Sequence, residues 1–312
     1  MPVDIPRGRF VWHELLTTDP DAAARFYPKV MGWKVVPYDK DPSYRIWMAG
    51  KSGLGGLMKL PEDARRMGAP SHWMPYVAVP DTDEAVRHAQ TLGARVLVGP
   101  TTIPAGRFAV LADPQGASFS VFTSATADDS ATGAFTWHEL ATTDGKAAWE
   151  FYRALFGWEQ ESSMDMGGMG AYLMYKRAGE KNALGGIYTK PPEMTAPPAW
   201  LCYVSVKNAD ATAKLVKDAG GGLMREPMDV PGGGRIAVCV DPQGAVFAVH
   251  AMAAAPKPRA KAKPKAKPKA KAKQPKAKAK ARKRPATRKP ARKPKRKPAR
   301  RAARSARRPR RR

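Results

Sequence analysis

The chain contains a long internal repeat. The segment Trp12-His13-Glu14-Leu15 returns as Trp137-His138-Glu139-Leu140, a shift of 125 residues. The Thr-Thr-Asp, Phe-Tyr and Gly-Trp motifs that follow return with the same shift. A constant shift over several motifs predicts two copies of one structural unit, each the size of a small domain.

Charge divides the chain into a body and a tail. Residues 256–312 carry 30 of the 55 Lys and Arg residues and no Asp or Glu. Residues 1–255 therefore hold 25 basic and 27 acidic side chains, a net charge of −2. The body has the charge of an ordinary globular protein, whereas the tail is a polycation. Because the tail is rich in Pro and Lys and has little apolar surface to bury, it is predicted to be disordered.

Cysteine usage and apolar segments bear on the compartment. Cys202 and Cys239 are the two cysteines and form no CxxC motif, which is typical of free thiols in a reducing compartment. No stretch approaches the roughly 20 apolar residues that a membrane span requires. Residues 1–9 also lack the apolar core of a signal peptide. We therefore expect a cytoplasmic protein without a membrane partner.

Within each copy, strands and helices repeat at a finer scale. A strand at 9–16, a helix at 21–31 and three short strands form one βαβββ module, and a second module begins with a strand at 73–79. A module's helix covers one face of its sheet, so two modules placed side by side leave a half-open cup. The predicted fold class is α+β, with paired βαβββ modules forming half-open, cup-shaped sheets in two tandem domains. The predicted parts are an N-terminal extension at 1–8, a first domain at 9–124, a linker at 125–133, a second domain at 134–252 and a disordered tail at 253–312.

The motifs of both copies resemble the vicinal-oxygen-chelate superfamily, the group of glyoxalases, extradiol dioxygenases and bleomycin-resistance proteins. The resemblance covers about residues 9–252 and is strongest to tandem two-domain members. It implies the cup-shaped fold but no single reaction, since the superfamily hosts many chemistries and several pure binders. The residues that carry it are Phe26-Tyr27, Gly32-Trp33, Leu54-Gly55-Gly56, Val79-Pro80-Asp81 and Asp113-Pro114-Gln115-Gly116, with Phe151-Tyr152, Gly157-Trp158, Leu184-Gly185-Gly186 and Asp241-Pro242-Gln243-Gly244 in the second copy.

For active members, the resemblance implies a divalent metal in the cup, held by His, Gln or Glu side chains on three strands. The matching positions here are Trp12, Met74 and Ser120 in the first copy and Trp137, Leu201 and Ala248 in the second. None of the six is a usual metal ligand, so neither a metal nor another cofactor is predicted.

A fallback set of ligands depends on strand register. A slip of one residue would turn His13 or His138 into the cup, and His72 lies near the second strand. In the preferred register, His13 instead points under the helix with Val11 and Leu15 as a hydrogen-bonded core histidine. The divalent metal therefore belongs to the alternative in which the register has slipped.

Glu14 and Glu139 share the cup face with the preceding Trp residues, because side chains two apart on a strand point the same way. A carboxylate in an apolar cup needs a partner. Arg107 and Arg235, each after a Gly, occupy equivalent places before a later strand. The favoured interpretation is a structural Glu–Arg pair. The sharper one is that Glu14 or Arg107 binds a polar ligand, or that Glu14, and equivalently Glu139, is a general base.

Aromatic and thioether side chains are predicted to crowd both cups. A concave apolar surface with few polar groups is the usual form of a small-molecule site, although core packing is the alternative. The predicted ligand-binding residues are Trp12, Glu14, Tyr44, Trp73, Met74, Arg107, Trp137, Glu139, Tyr172, Trp200 and Arg235, with Trp47 and Tyr175 as further cup aromatics.

Three functions follow from these patterns. In the first, a metal-free tandem domain binds an apolar small molecule, and the tail, which resembles linker-histone tails, binds DNA or another polyanion without reading sequence. In the second, the body is a metal-dependent enzyme of the glyoxalase or dioxygenase type. In the third, the chain is a nucleoid-associated structural protein. The sequence leaves the ligand and the oligomeric state open.

Overall fold

The structure is a computed structural model that describes residues 7–126, 133–231 and 233–252. The predicted tail at 253–312, most of the predicted linker and most of the N-terminal extension lie outside the described residues. Among the described residues, no helix combines the length and apolar character needed to cross a membrane.

The first domain contains both predicted modules. Its elements follow the βαβββ order twice, with a short additional helix, α2, that the sequence pattern did not predict. They are β1 (Phe10–Thr17), α1 (Pro20–Met31), β2 (Lys34–Tyr38), β3 (Asp41–Ala49), β4 (Ser52–Lys59), α2 (Glu62–Arg66), β5 (His72–Ala78), α3 (Thr82–Thr91), β6 (Arg95–Ile103), β7 (Gly106–Ala112) and β8 (Ser118–Ser124).

The second domain repeats this order without a counterpart of α2 among its described residues. Its elements are β9 (Phe135–Thr142), α4 (Gly145–Phe156), β10 (Trp158–Asp165), β11 (Ala171–Arg177), β12 (Gly185–Thr189), β13 (Ala199–Ser205), α5 (Ala209–Asp218), β14 (Gly222–Val230), β15 (Gly234–Val240) and β16 (Val246–Ala251).

Each domain forms one sheet of eight strands. The orders are β2-β3-β4-β1-β5-β8-β7-β6 and β10-β11-β12-β9-β13-β16-β15-β14. The first strand of each domain pairs antiparallel with the first strand of its second module, β1 with β5 and β9 with β13. These pairs join two four-stranded modules at the middle of the sheet, which confirms the predicted α+β fold class.

The ends of the first helix show how local sequence sets the module. The Asp19 side chain accepts hydrogen bonds from the backbone N–H groups of Asp21 and Ala22, and Pro20 occupies the first helical turn. Gly32 ends the helix at φ +70°, a left-handed conformation that glycine adopts without steric cost. The second copy uses Asp144 and Gly157 in the same way.

The helices of each domain pack against the other domain. Phe26 and Tyr27 of α1 belong to a buried cluster with residues of α5, β15 and β16, while Tyr152 of α4 packs against β7 and β8. Tyr27 Oη donates to Asp241 Oδ2 at 3.1 Å, and Tyr152 Oη donates to Asp113 Oδ2 at 3.0 Å. The Phe-Tyr motif of one copy therefore meets the Asp-Pro-Gln-Gly turn of the other. The contacts are reciprocal, as in a two-fold symmetric dimer.

Candidate functional site

We define the first cup by Trp12, Glu14, Tyr44, Tyr76 and Ser120, which lie on the face of the first sheet that points away from the second domain. Tyr76 Oη donates to Glu14 Oε2 at 2.8 Å, and Trp12 Nε1 donates to Tyr44 Oη at 3.0 Å. The Tyr44 hydroxyl also hydrogen-bonds the Glu14 carboxyl. Ser120 is fully buried on β8, in register with Tyr76. One carboxyl group is thus held by two phenols.

The same arrangement forms a second cup, defined by Trp137, Glu139, Tyr172, Tyr188 and Tyr203. Trp137 Nε1 donates to Tyr172 Oη at 2.8 Å, and Tyr172 Oη donates to Glu139 Oε2 at 2.8 Å. The Tyr203 hydroxyl supplies the second hydrogen bond to this carboxyl group. The Trp–Tyr–Glu chain is therefore a property of the repeat.

The Leu-Gly-Gly motif makes room for this chain. A Cβ atom on Gly56 would lie 1.9 Å from Tyr44 Oη and 3.1 Å from Glu14 Oε1. A Cβ atom on Gly186 would lie 2.1 Å from the ring of Tyr172. The preceding glycine is needed on the other face, because a Cβ on Gly55 would lie 1.9 Å from the His13 carbonyl oxygen. Any side chain at these positions would enter space that is already filled.

Burial sets the protonation of the network. Burial raises the pKa of Glu14, and the hydrogen bonds from Tyr44 and Tyr76 offset only part of that rise. Burial also raises the pKa of Glu139. For Tyr44 and Tyr172, burial and then the neighbouring carboxyl raise the phenol pKa, so both phenols remain proton donors. A ligand carbonyl, enol or phenol can exchange hydrogen bonds with such a network, and the carboxyl can take up or release a proton.

The cups do not fit the divalent metal that the superfamily resemblance implies. In the first cup, the expected ligand positions carry Trp12, Met74 and Ser120, with Glu14 as the adjacent carboxylate. Among the described residues, neither cup brings together three His, Cys, Asp or Glu ligand atoms. An indole N–H is a donor only, and here it is used on Tyr44.

The strand register places His13 away from the cup. His13 is fully buried, and its Nε2 lies 2.7 Å from Nε2 of His138 in the other domain. Leu15 shares its face as expected, but Val11 packs with the cup-side residues because the register of β1 shifts between Phe10 and Trp12.

The fallback ligand His72 is not part of this pair. Its Nδ1 lies 2.7 Å from the Pro70 carbonyl oxygen, and the ring is half-buried at the start of β5. The predicted fallback set is therefore split, with His13 and His138 together at the domain interface and His72 apart from them.

Four of the predicted cup aromatics lie on the face of their sheet that packs against the other domain. Trp73 Nε1 donates to Tyr27 Oη at 2.9 Å and Trp200 Nε1 donates to Tyr152 Oη at 3.1 Å, both inside the domain interface. The physical reason is the alternation of a strand, since Met74 faces the first cup and its neighbour must face the opposite side. Trp47 and Tyr175 are likewise buried in the interface clusters.

Arg107 and Arg235 do not pair with Glu14 and Glu139 as expected, because each binds an aspartate on a helix. Arg107 makes a two-pronged contact with Asp83 of α3 at 2.6 and 2.9 Å. Arg235 does the same with Asp210 of α5 at 2.7 and 2.8 Å and lines an open surface cleft of about 490 Å³. Both arginines therefore lie on the helix side of the sheet and not in the cups.

The sequence reasoning missed Tyr76 and Tyr203, which complete the two networks. The signal was present, because Tyr76 lies two residues after Met74 and shares its face. Of the predicted ligand-binding residues, the structure brings together Trp12, Glu14, Tyr44 and Met74 in the first cup, and Trp137, Glu139 and Tyr172 in the second.

Comparisons with known proteins agree with this architecture. Residues 11–122 match the glyoxalase-like domain family, and residues 134–249 match the glyoxalase/bleomycin resistance protein/dioxygenase superfamily. The chain is 35% identical over 250 residues to "Putative glyoxylase CFP32" of Mycobacterium tuberculosis, covering 76% of this chain and 92% of that protein. It is 28% identical over 278 residues to "Anthracycline biosynthesis protein DauV" of a Streptomyces species, covering 78% of this chain and 92% of that protein.

Solved structures share the fold at low sequence identity. The Mn(II)-bound glyoxalase from Novosphingobium aromaticivorans is 17% identical with a TM-score of 0.56, covering 79% of this chain and 83% of the other. A variant of homoprotocatechuate 2,3-dioxygenase from B. fuscum is 15% identical with a TM-score of 0.58, covering 81% and 73%. The two family matches and the relative at 35% identity show that the chain belongs to the glyoxalase/bleomycin resistance protein/dioxygenase superfamily.

Proposed function

We propose that the cups bind planar, largely apolar small molecules without a metal. The observation that carries this proposal is the Glu14–Tyr44–Tyr76 network, a single carboxyl with two phenol donors on an otherwise apolar face. Its apolar surroundings include Met58, Met74, Phe108, Val110 and Phe122. An aromatic ligand with a carbonyl or phenol group would bury its ring there and exchange hydrogen bonds with the network.

The name of one relative agrees with this ligand class. The relative named "Anthracycline biosynthesis protein DauV" is 28% identical to this chain. Anthracyclines are planar polycyclic aromatic compounds. We therefore propose polycyclic aromatic ketones and phenols as the ligands to test first.

A calorimetric screen of such compounds against the full chain tests the proposal. Glu14→Leu should weaken binding to the first cup by about tenfold or more, because a hydrogen bond to a charged or strongly polar group contributes about 1.5–3 kcal/mol. Glu139→Leu serves as the matched variant for the second cup. Absence of saturable binding, or binding that neither variant changes, would contradict the proposal.

The alternative is a metal-dependent enzyme of the glyoxalase or dioxygenase type, with Glu14 or Glu139 as a metal ligand or general base. The name of the 35% identical relative favours it. Elemental analysis of the purified protein separates the two. A stoichiometric metal that is lost in Glu14→Gln or Glu139→Gln would establish a metal centre in a cup and overturn metal-free binding.

For the tail, we propose non-specific binding to DNA, with nucleoid association in the cytoplasm. The support is its composition: 30 basic and no acidic side chains in residues 256–312, against a body of net charge −2. The tail carries no aromatic residue, which favours contacts to duplex phosphates over stacking on single-stranded bases.

Truncation tests the tail directly. A chain that ends at Ala254 should lose nearly all affinity for duplex DNA, and the affinity of the full chain should fall steeply with salt and vary little with sequence. Equal affinity of the full and truncated chains for DNA would rule out a DNA-binding tail.

A separate measurement, the oligomeric state of the full chain with and without DNA, tests the third function, a nucleoid-associated structural protein.

A further inference from the structure

The histidines of the repeat meet at the centre of the domain interface. His13 Nε2 and His138 Nε2 lie 2.7 Å apart, and both rings are buried. Phe135 stacks on His13 with ring centroids 3.7 Å apart, and Phe10 stacks on His138 at 3.6 Å. Each histidine is thus covered by an aromatic ring from the opposite domain, so this environment exists only when the two domains are packed together.

Two neutral histidines have too few N–H groups for the hydrogen bonds that surround this pair. His138 Nδ1 lies 3.4 Å from the Leu184 carbonyl oxygen, and the His13 ring makes the equivalent hydrogen bond to the backbone of Leu54. With both rings donating to these backbone carbonyls, the contact between the Nε2 atoms needs a third proton. Two neutral imidazoles carry only two N–H groups. Without a further proton or a metal ion between them, the two Nε2 atoms would face each other with their lone pairs.

A third donor lies beside the pair. The Sγ atom of Cys202 and one ring nitrogen of each histidine all lie within 4.8 Å of one another, and Cys202 is fully buried. Cys202 faces His138 across β13 and β9, whereas the residue facing His13 across β5 and β1 is Pro75. The two copies therefore differ at the position that adds a thiol to the histidines.

We propose that His13, His138 and Cys202 bind a soft, thiophilic metal cation, Cu(I) in preference to Zn(II). Thiolate and imidazole are the ligands that select these metals. The choice of Cu(I) follows from charge: one thiolate and two neutral imidazoles make its complex neutral, whereas Zn(II) leaves a net positive charge in a dry interior. A shared proton would join the two Nε2 atoms but would leave the Cys202 Sγ atom without a role in the cluster.

The surroundings have the features of a metal site. Histidine ligands usually donate their second ring N–H to a backbone carbonyl or carboxylate, as both rings do here. Bonds of about 2.0 Å to both nitrogens, at the roughly 120° angle of a three-ligand site, require an N–N separation of roughly 3.5 Å, so the rings need to part by about 0.8 Å. A cleft of about 320 Å³ is lined by Phe10, Phe135, His138 and Leu184, so one of the three proposed ligands borders open space.

The experiment is a titration of the reduced full-length protein with buffered Cu(I), and separately with Zn(II), under anaerobic conditions. We expect one Cu(I) per chain after gel filtration and a higher thermal unfolding temperature, because a ligand that binds only the folded state stabilises it. Cys202→Ser should weaken Cu(I) binding by more than about tenfold, at least the effect of losing a supporting residue around a metal.

Cys239→Ser is the matched control, because Cys239 is also buried and free but lies outside the cluster. It should bind Cu(I) like the wild type. His138→Gln, provided that it folds with the wild-type circular dichroism spectrum, should lose binding as Cys202→Ser does. Sub-stoichiometric Cu(I) in the wild type, unchanged binding by Cys202→Ser, or equal loss in Cys239→Ser would each overturn the proposal. A metal in a cup would instead respond to Glu14→Gln or Glu139→Gln, so the two proposals fail separately.

Discussion

Glu14 in the first cup is 7% exposed, whereas its counterpart Glu139 in the second cup is half-buried. Each carboxyl accepts hydrogen bonds from two phenols, so the framework is the same and the surroundings differ. Several equivalent positions differ, among them Met58 and Tyr188, Met74 and Leu201, Val98 and Arg225, and Ser120 and Ala248.

These exchanges change the chemistry of the second cup. Arg225 is exposed on β14, and its charge works against the rise in the pKa of Glu139 that burial causes. Tyr188 stacks on Tyr172 with ring centroids 5.9 Å apart and adds a further phenol. Under the proposed function, we expect the first cup to prefer a neutral ligand and the second cup to prefer one with an anionic group.

Helix α2 adds a second difference. Ala64 of α2 and the nearby Ala69 pack against the apolar residues around the first cup. In the second domain, the described segment between β12 and β13 contains turns and no helix. The first cup is thus more enclosed, which agrees with the deeper burial of Glu14.

Substituting the second glycine of the Leu-Gly-Gly motif should have the largest effect, because it should abolish ligand binding in one cup and leave the other cup intact. Gly56→Ala should displace Tyr44, cost about 1–3 kcal/mol of unfolding free energy and abolish ligand binding to the first cup, because the new Cβ would lie 1.9 Å from Tyr44 Oη. Gly186→Ala should do the same to the second cup only. Urea unfolding and calorimetry measure both effects. Loss of ligand binding in both cups on either single substitution would show that the two cups are coupled.

A smaller effect is expected from Glu14→Gln, and it depends on pH. The folded-state pKa of Glu14 is raised, so the folded chain binds more protons than the unfolded chain between the two pKa values. The unfolding free energy contributed by Glu14 therefore falls as pH rises through that window. Glu14→Gln should remove this loss and be more stable than the wild type at alkaline pH, by on the order of 1 kcal/mol.

The control for this prediction is Glu139→Gln, which should change the pH dependence less because Glu139 is more exposed and lies near Arg225. Urea unfolding from pH 4 to 9 provides the measurement. Equal pH profiles for the two variants would show that the difference in burial between the cups has no energetic consequence.

Exchanging the equivalent residues Val98 and Arg225 should have the smallest effect on ligand binding. Arg225→Val should weaken binding of a carboxylate-bearing aromatic ligand to the second cup by a few-fold, since an exposed charge contributes about 0–1 kcal/mol. Val98→Arg should strengthen binding of the same ligand to the first cup by a similar factor. Calorimetry at low and high salt provides the test. Salt-independent binding would exclude a charge contribution from Arg225.

The pattern of strands predicted the cup well where alternation alone decides. Trp12 and Glu14 were placed on one face because they lie two residues apart on β1, and the structure agrees. The same alternation places Trp73, which adjoins Met74, on the interface face and Tyr76 on the cup face. The arginines were beyond this rule, because their partners Asp83 and Asp210 lie on the helices that begin each second module.

The sequence alone determined the repeat, the module order, the caps of the first helix and the faces of Trp12, His13, Glu14 and Leu15 on β1, because these features depend on neighbours within a few positions along the chain. The bulge that moves Val11 to the cup side was decided by the tertiary structure. The partners across the domain interface were decided only by the tertiary structure. His13 meets His138, and Tyr27 meets Asp241, at separations of 125 and 214 residues. Such pairs depend on how two sheets pack, and no local pattern encodes a packing angle. The histidine that local reasoning assigned to one domain's core therefore became half of a pair between two domains.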